Sequence, residues 1–231
     1  MKKDRINPIG IINESTIHSQ LKKLYMSHGA RSEVPIGGFI ADICLGSGQI
    51  VEIQTSGFSH ISSKLQSLLE KQKVRLVYPL AVEKELIVYD RTHSSVLYRR
   101  RSPKKQSLID MVDELVRITK ILSHPNFELE VMLTKEREIR RNDGNGSWRR
   151  SGISIIDREL TDIVQRKLFV RPSDYLILLP DELPEQFTNK SLSVLRGIAH
   201  NKAQKITYCL RAVGVLRVAG KSKNQYLLER A

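Results

Sequence analysis

The chain has 231 residues, of which 40% are hydrophobic and 27% are charged, a balance typical of folded globular proteins rather than of disordered ones. No run approaches the roughly 18 apolar residues of a membrane span, and no apolar stretch follows the basic start, so we expect neither a span nor a secretory signal. Thirty-eight Lys and Arg against 25 Asp and Glu give a net charge of +13, which favours polyanionic partners such as nucleic acids.

The first 90 or so residues have the element order of a mixed sheet flanked by helices, an α/β (α+β) arrangement. Two apolar runs joined by Gly46-Ser47-Gly48 predict a β-hairpin. Leu and Ile recur at helical spacing on both sides of it, and Pro79 is expected to end the strand that follows. In chain order, the predicted elements are a helix at 14–26, strands at 36–45 and 49–55, a helix at 59–71, and strands at 74–78 and 85–89.

After about residue 149 the chain is predicted to be mostly helical until its end. The strongest turn signal is Asn-Asp-Gly-Asn-Gly at 142–146, followed by Trp148 and two arginines, and we place a domain boundary there. The predicted domains are therefore 1–148 and 149–231. The elements predicted after the first 90 residues are helices at 107–122, 158–168, 172–179, 188–198 and 201–213, with strands at 127–133, 215–218 and 225–228.

Two carboxylates interrupt the apolar strands of the hairpin. Asp42 and Glu52 each stand where a charge is costly unless it is paired. If the glycine-rich turn is a three-residue connection, Asp42 lies opposite Glu52, and Gln54 shares their face because side chains alternate along a strand. Two adjacent carboxylates favour a cation between them, and their hard oxygens suit Mg²⁺ or Mn²⁺, which can polarise a phosphoryl oxygen and activate water. The alternative is that both carboxylates face solvent at a sheet edge.

This segment resembles the motif of the PD-(D/E)XK nuclease superfamily, in which an Asp and a hairpin spacer precede Glu-X-Lys. The resemblance implies a restriction-endonuclease-like fold in which Asp42, Glu52 and the carbonyl of Ile53 bind the metal. Gln54 replaces the family's Lys and could orient water, but it carries no positive charge. The resemblance therefore predicts a Mg²⁺-dependent DNA endonuclease, and the replacement keeps open a non-catalytic DNA-binding or regulatory protein.

Three other side chains are candidates for the same site. Glu14 lies on the first predicted helix, from which some junction resolvases of this fold supply a Glu, although an acid there also stabilises the helix dipole. Glu33 stands just before the first strand. Lys64, on the helix after Gln54, offers a cation from a new position, but the favoured interpretation is a solvated residue on an amphipathic helix.

The last part of the chain resembles a winged-helix domain over about residues 184–231, because two helices and a β-hairpin follow one another closely. The polar face of the second helix and the cationic hairpin tip are predicted to contact double-stranded or branched DNA. A solvated face or a protein-protein module are the alternatives. A homodimer is implied by the nuclease resemblance alone, and a cytoplasmic location is expected. The candidate nucleic-acid-binding residues are Gln204, Lys205, Tyr208, Arg211, Lys221 and Lys223, with Arg99, Arg100 and Arg101 in a basic loop.

Overall fold

The computed structural model describes residues 15–231, so Glu14 lies outside the described part of the chain. It contains two sheets and five α-helices within that range, with short 3₁₀ turns between them. The helices are α1 (Thr16–Lys23), α2 (Phe58–Leu69), α3 (Val112–Leu115), α4 (Asn189–Arg196) and α5 (His200–Ala212). The strands are β1 (Arg31–Ile36), β2 (Phe39–Cys44), β3 (Ile50–Ile53), β4 (Val74–Tyr89), β5 (Val96–Arg101), β6 (Phe127–Asn142), β7 (Ile153–Phe169), β8 (Gln186–Phe187), β9 (Leu216–Ser222) and β10 (Gln225–Arg230).

The larger sheet has the order β1-β2-β3-β4-β6-β7, and β5 pairs with the far end of β4. The β3–β4 and β4–β6 pairs are parallel, whereas the other pairs are antiparallel. The prediction of a mixed sheet flanked by helices is therefore confirmed. Helix α1 covers one face through Ile17 and Leu21, and α2 covers the other through Leu65 and Leu68.

Strand β4 is longer than the sequence predicts. The two strands predicted at 74–78 and 85–89 form one continuous strand, and Pro79 lies within it. The carbonyl of Val77 accepts the N–H of Gln54, so Val77 points towards β3. Pro79, two residues later, points the same way, but β3 has already ended at Ile53. Pro79 is tolerated because no ladder partner on that side requires an N–H.

The helix predicted at 158–168 is wrong, because these residues belong to β7. Strand β7 pairs with β6 along its whole length, from Ile153 opposite Asn142 to Phe169 opposite Leu129. This long-range pairing overrides the local helical pattern. The boundary predicted between residues 148 and 149 falls inside the turn of the β6–β7 hairpin. The helix predicted at 107–122 is also broken, into α3 and two 3₁₀ turns at Leu108–Met111 and Thr119–Ile121.

The C-terminal elements follow the predicted order. Helices α4 and α5 precede the β9–β10 hairpin, and β8 joins it to give the sheet order β8-β10-β9. The apolar side of α5, which includes Ala203, Ile206 and Leu210, is buried in the same core as α2, so the two parts of the chain share one packed interior. Both cysteines, Cys44 and Cys209, are buried free thiols. Between residues 15 and 231, no helix is long and apolar enough to cross a membrane.

Candidate active site

The β2–β3 hairpin brings its two carboxylates together, as the sequence predicts. Ile43 lies opposite Val51 and Cys44 opposite Ile50, and the same register places Asp42 opposite Glu52. The backbone N–H of Asp42 donates to Oε1 of Glu52 at 3.3 Å. The solvent-facing alternative is excluded for Glu52, whose residue is only 3% exposed.

Asp42 is held as an anion by donors on two sides. Its Oδ2 accepts the backbone N–H of Ile53 at 2.7 Å and lies 3.3 Å from Nε2 of His18 on α1. Burial alone would raise the pKa of Asp42, but the hydrogen bonds from His18 and Ile53 outweigh it and leave the pKa below its ordinary value. Nε2 of His18 also lies 3.1 Å from the carbonyl oxygen of Ile53, so His18 bridges two of the three expected metal ligands.

Glu52 has the opposite electrostatic behaviour. Burial, followed by the negative charge of Asp42, raises the pKa of Glu52 to about 7, although Lys64 partly offsets both effects. Nζ of Lys64, on α2, lies 2.5 Å from Oε2 of Glu52. The Lys64 side chain is only 17% exposed, so its interpretation as a solvated residue is wrong. The amphipathic helix carries this lysine directly over the end of β3.

The raised pKa of Glu52 should make the free energy of unfolding depend on pH. The folded chain holds the Glu52 proton more tightly than the unfolded chain does, so its contribution to the free energy of unfolding falls as pH rises from about 4.5 to about 7. The Glu52→Gln variant lacks this titration, so the wild type should lose stability relative to it as pH rises. We expect the difference between their free energies of unfolding to change by at most about 3 kcal/mol between pH 5 and pH 8. Urea denaturation at both pH values measures this change. A stability difference that is equal at the two pH values would contradict the shift.

The other acids and the amide predicted for the site are placed elsewhere or contact other groups. Glu33 has a left-handed backbone with φ of 52° and forms an ion pair with Lys22. The side-chain amide of Gln54 donates to the backbone carbonyl of Ser56 at 2.5 Å. Sequence reasoning assigned no role to His18, although its position on the first helix, one turn after Glu14, was a usable signal.

The donors present fit a hard divalent ion. Among residues 15–231, no three His, Cys, Asp or Glu side chains are arranged as a metal site, so the protein would supply two carboxylates and the Ile53 carbonyl. Mg²⁺ accepts such a small set because it keeps several water ligands. Burial and, after it, the negative charge of Asp42 raise the pKa of Glu52, and a cation between the two carboxylates would offset both effects. Binding would require His18 to release Asp42 and the Ile53 carbonyl.

Of the residues predicted to bind nucleic acid near the C-terminus, one already forms an ion pair within the chain and the others are exposed. Lys205 already has a partner within the chain, because its Nζ lies 2.7 Å from Oδ1 of Asp113 on α3. Tyr208 and Arg211 remain exposed and line a cleft of about 320 Å³ with Val218. Tyr226, which the sequence analysis missed, is 51% exposed, with Lys221 and Arg211 near its ring at 5.5 Å and 5.9 Å. Gln204 and Lys223 are also exposed.

The three arginines predicted to lie in a basic loop are in strand β5. They line a cleft of about 400 Å³ that also contains three acids and two further cations. The cleft is therefore of mixed charge, which weakens its attraction for phosphate. The residues lining it are Glu83, Glu85, Arg99, Arg100, Arg101, Lys135, Glu136, Arg137 and Thr161.

Sequence comparison assigns the chain to a family. Residues 15–170 match the family described as Domain of unknown function (DUF8091). The chain belongs to this family. An "Uncharacterized protein" of Treponema pallidum (strain Nichols) is 30% identical over 179 residues, which cover 78% of this chain and 71% of that protein. No solved structure matches the chain. The DUF8091 segment runs from α1 to the end of β7 and thus contains the larger sheet and the Asp42–Glu52 site.

Proposed function

We propose that this DUF8091 protein is a metal-dependent endonuclease that hydrolyses phosphodiester bonds in DNA, on a restriction-endonuclease-like fold. The observation that carries the proposal is the convergence of Asp42, Glu52 and Lys64 where β3 ends. A helix, a β-hairpin with two carboxylates, a second helix and a parallel strand follow one another, which also supports that fold.

Each side chain of the site has a separate role in the proposed reaction. Asp42, Glu52 and the Ile53 carbonyl would hold Mg²⁺ or Mn²⁺. Such an ion polarises a phosphoryl oxygen and lowers the pKa of a bound water. Lys64 would supply the positive charge that Gln54 lacks, stabilising negative charge that develops on the phosphate. Gln54 would orient the attacking water, and His18, which contacts Asp42 and the Ile53 carbonyl, would have to release both for the ion to bind.

The C-terminal elements support a DNA-binding role. The order α4, α5, β9, β10, with β8 completing the small sheet, resembles that of a winged helix and supports this part of the proposal. Because Lys202 and Lys205 are paired with Asp113, the N-terminal half of α5 is held against α3. We therefore assign the DNA contact to the other half of α5 and the β9–β10 hairpin, with Tyr208, Arg211, Lys221 and Tyr226 as its main residues.

Salt dependence should identify the phosphate contacts. We expect the double substitution Arg211→Ala and Lys221→Ala to reduce the slope of log K against log salt concentration by about 2, because each neutralised phosphate releases counterions. Fluorescence anisotropy with a labelled duplex over a series of KCl concentrations measures the slope. Lys71→Ala, an exposed site just after α2, is the matched control. An unchanged slope in the double variant would remove this surface from the DNA contact.

A cleavage assay tests the proposed activity. Supercoiled plasmid, branched DNA and single-stranded DNA are incubated with the protein and Mg²⁺ or Mn²⁺, beside reactions containing EDTA. We expect cutting that requires the metal. Binding of DNA without any cutting would favour a non-catalytic DNA-binding or regulatory protein. One observation favours that second function, because Lys64 pairs with Glu52 and His18 contacts Asp42, as the members of a structural polar network would.

A further inference from the structure

The turn of the β6–β7 hairpin presents an exposed tryptophan. Trp148 begins the 3₁₀ turn Trp148–Arg150 and is 83% exposed, more than any other large hydrophobic side chain between residues 15 and 231. Because an indole is large and apolar, leaving it in water forfeits much of the stabilisation that burial would provide. Trp148 contributes little to the protein's own core.

Several hydrogen bonds and one close backbone approach fix the conformation of this turn. Asp143 accepts hydrogen bonds from Ser154, the backbone of Asn145 and Arg141, which lower its pKa to about 2. Gly146 donates its N–H to the carbonyl of Gly152. A Cβ on Gly146 would lie 1.9 Å from the carbonyl oxygen of Ile153, so no larger residue fits without rearrangement. The tryptophan is thus held on a defined turn.

The surroundings of Trp148 are cationic. The guanidinium carbon of Arg149 lies 5.4 Å from the centre of the Trp148 ring. Residues 140–154 contain four arginines and one acid, and that acid, Asp143, is already paired with Arg141. Arg140 is likewise paired with Glu138, so Arg149 and Arg150 provide the positive charge beside the ring, and Arg150 also donates from Nε to the carbonyl of Ile153. An aromatic face with such cations beside it suits a partner that combines flat rings with negative charge.

We propose that Trp148 stacks on an unpaired nucleobase of the DNA substrate while Arg149 and Arg150 contact its phosphates. This inference rests on the proposed function for the nature of the partner. Bases within a duplex are covered by their neighbours, whereas an unpaired base offers its face to an aromatic side chain. The polar neighbours of Trp148, which include Ser147 and Ser151, favour DNA over a lipid surface, where flanking apolar residues would be needed.

The turn lies far from the carboxylates along the sheet. Glu52 of β3 pairs with Leu76 of β4, which in turn pairs with Leu129 of β6. From Leu129, β6 continues to Asn142 before the turn begins. At about 3.3 Å per residue this stretch of strand is at most about 40 Å long, the length of roughly 12 base pairs. The substrate would therefore have an unpaired base within roughly 12 nucleotides of the bond that is cut, as a branched or gapped DNA has.

The chain contains a single tryptophan, so its intrinsic fluorescence reports Trp148 alone. We expect an oligothymidine single strand to quench this emission and a closed duplex without ends to leave it unchanged. Measured by anisotropy with a labelled strand, Trp148→Ala should weaken single-strand binding about 5- to 100-fold, and Trp148→Phe should retain most of it. Gly146→Ala should weaken binding while keeping the indole, because the turn must rearrange.

The outcomes separate this inference from the proposed function. Asp42→Asn should show the same quenching as the wild type, since it acts only on cleavage. Single-strand binding without quenching, or with unchanged affinity in Trp148→Ala, would overturn the stacking role while leaving the nuclease intact. An oligouridine strand that binds more tightly than oligothymidine would overturn the assignment to DNA. A blue shift with anionic vesicles, in place of quenching by DNA, would assign the turn to a membrane and overturn the inference.

Discussion

Asp42→Asn is expected to lower the rate of Mg²⁺-dependent DNA cleavage by about a thousandfold or more, because metal catalysis contributes several kcal/mol to lowering the barrier. The amide keeps the size of the side chain and can still face His18, but it cannot supply the charge that holds the ion. The loss should therefore appear in the rate at saturating DNA, while the affinity for DNA changes little. Single-turnover cleavage of a labelled substrate measures the rate, and anisotropy measures the affinity.

Asp162→Asn is the matched control for this substitution. Asp162 is half exposed on β7 and pairs with Lys135 there, and we expect its replacement to leave cleavage unchanged. Thermal denaturation should show that both variants fold. Cutting by Asp42→Asn at the wild-type rate would place the activity at another site or in a contaminant, and the nuclease assignment at this hairpin would fail.

Lys64→Met should destabilise the fold by about 3 kcal/mol at pH 8, because it leaves the buried Glu52 carboxylate beside Asp42 without its cation. The loss should be smaller at pH 5, where Glu52 is protonated in the folded chain. Urea denaturation at the two pH values measures it. If Lys64 acts in the reaction, cleavage by the folded fraction should be lost as well.

Two further variants separate the structural role of Lys64 from the catalytic one. Adding Glu52→Gln to Lys64→Met removes the unpaired charge, and we expect the double variant to recover most of the lost stability. Lys64→Arg keeps the ion pair, so its stability should match the wild type while its cleavage rate falls, since the planar guanidinium presents its charge differently. Equal stability of wild type and Lys64→Met at pH 8 would show that the ion pair contributes nothing to the fold.

The hairpin and its carboxylates could be predicted because the relevant information is local. A short glycine-rich turn sets the register of adjacent strands, and strand alternation then places Asp42 opposite Glu52. The order of α4, α5 and the β9–β10 hairpin could be predicted for the same reason, since helical spacing and turn residues mark each element.

Strand β7 shows where such local information ends. The segment 158–168 is compatible with a helix until β6 is present beside it, and the pairing with β6 involves residues up to 40 positions away. The sequence signal at residues 142–146 was a real turn. It marks the connection of a hairpin rather than a change of domain, and only the pairing of β6 with β7 distinguishes these two meanings.

The electrostatic partners of the site were also decided by the tertiary structure. By itself the sequence determined the basic charge, the mixed sheet and the pairing of Asp42 with Glu52. It could not determine that α1 brings His18 to Asp42, that α2 brings Lys64 to Glu52, or that Asp113 holds Lys205, 92 residues away. Spacing along a chain specifies neighbours within one element, whereas these contacts depend on how separate elements pack across a sheet, which the common core of the whole molecule determines.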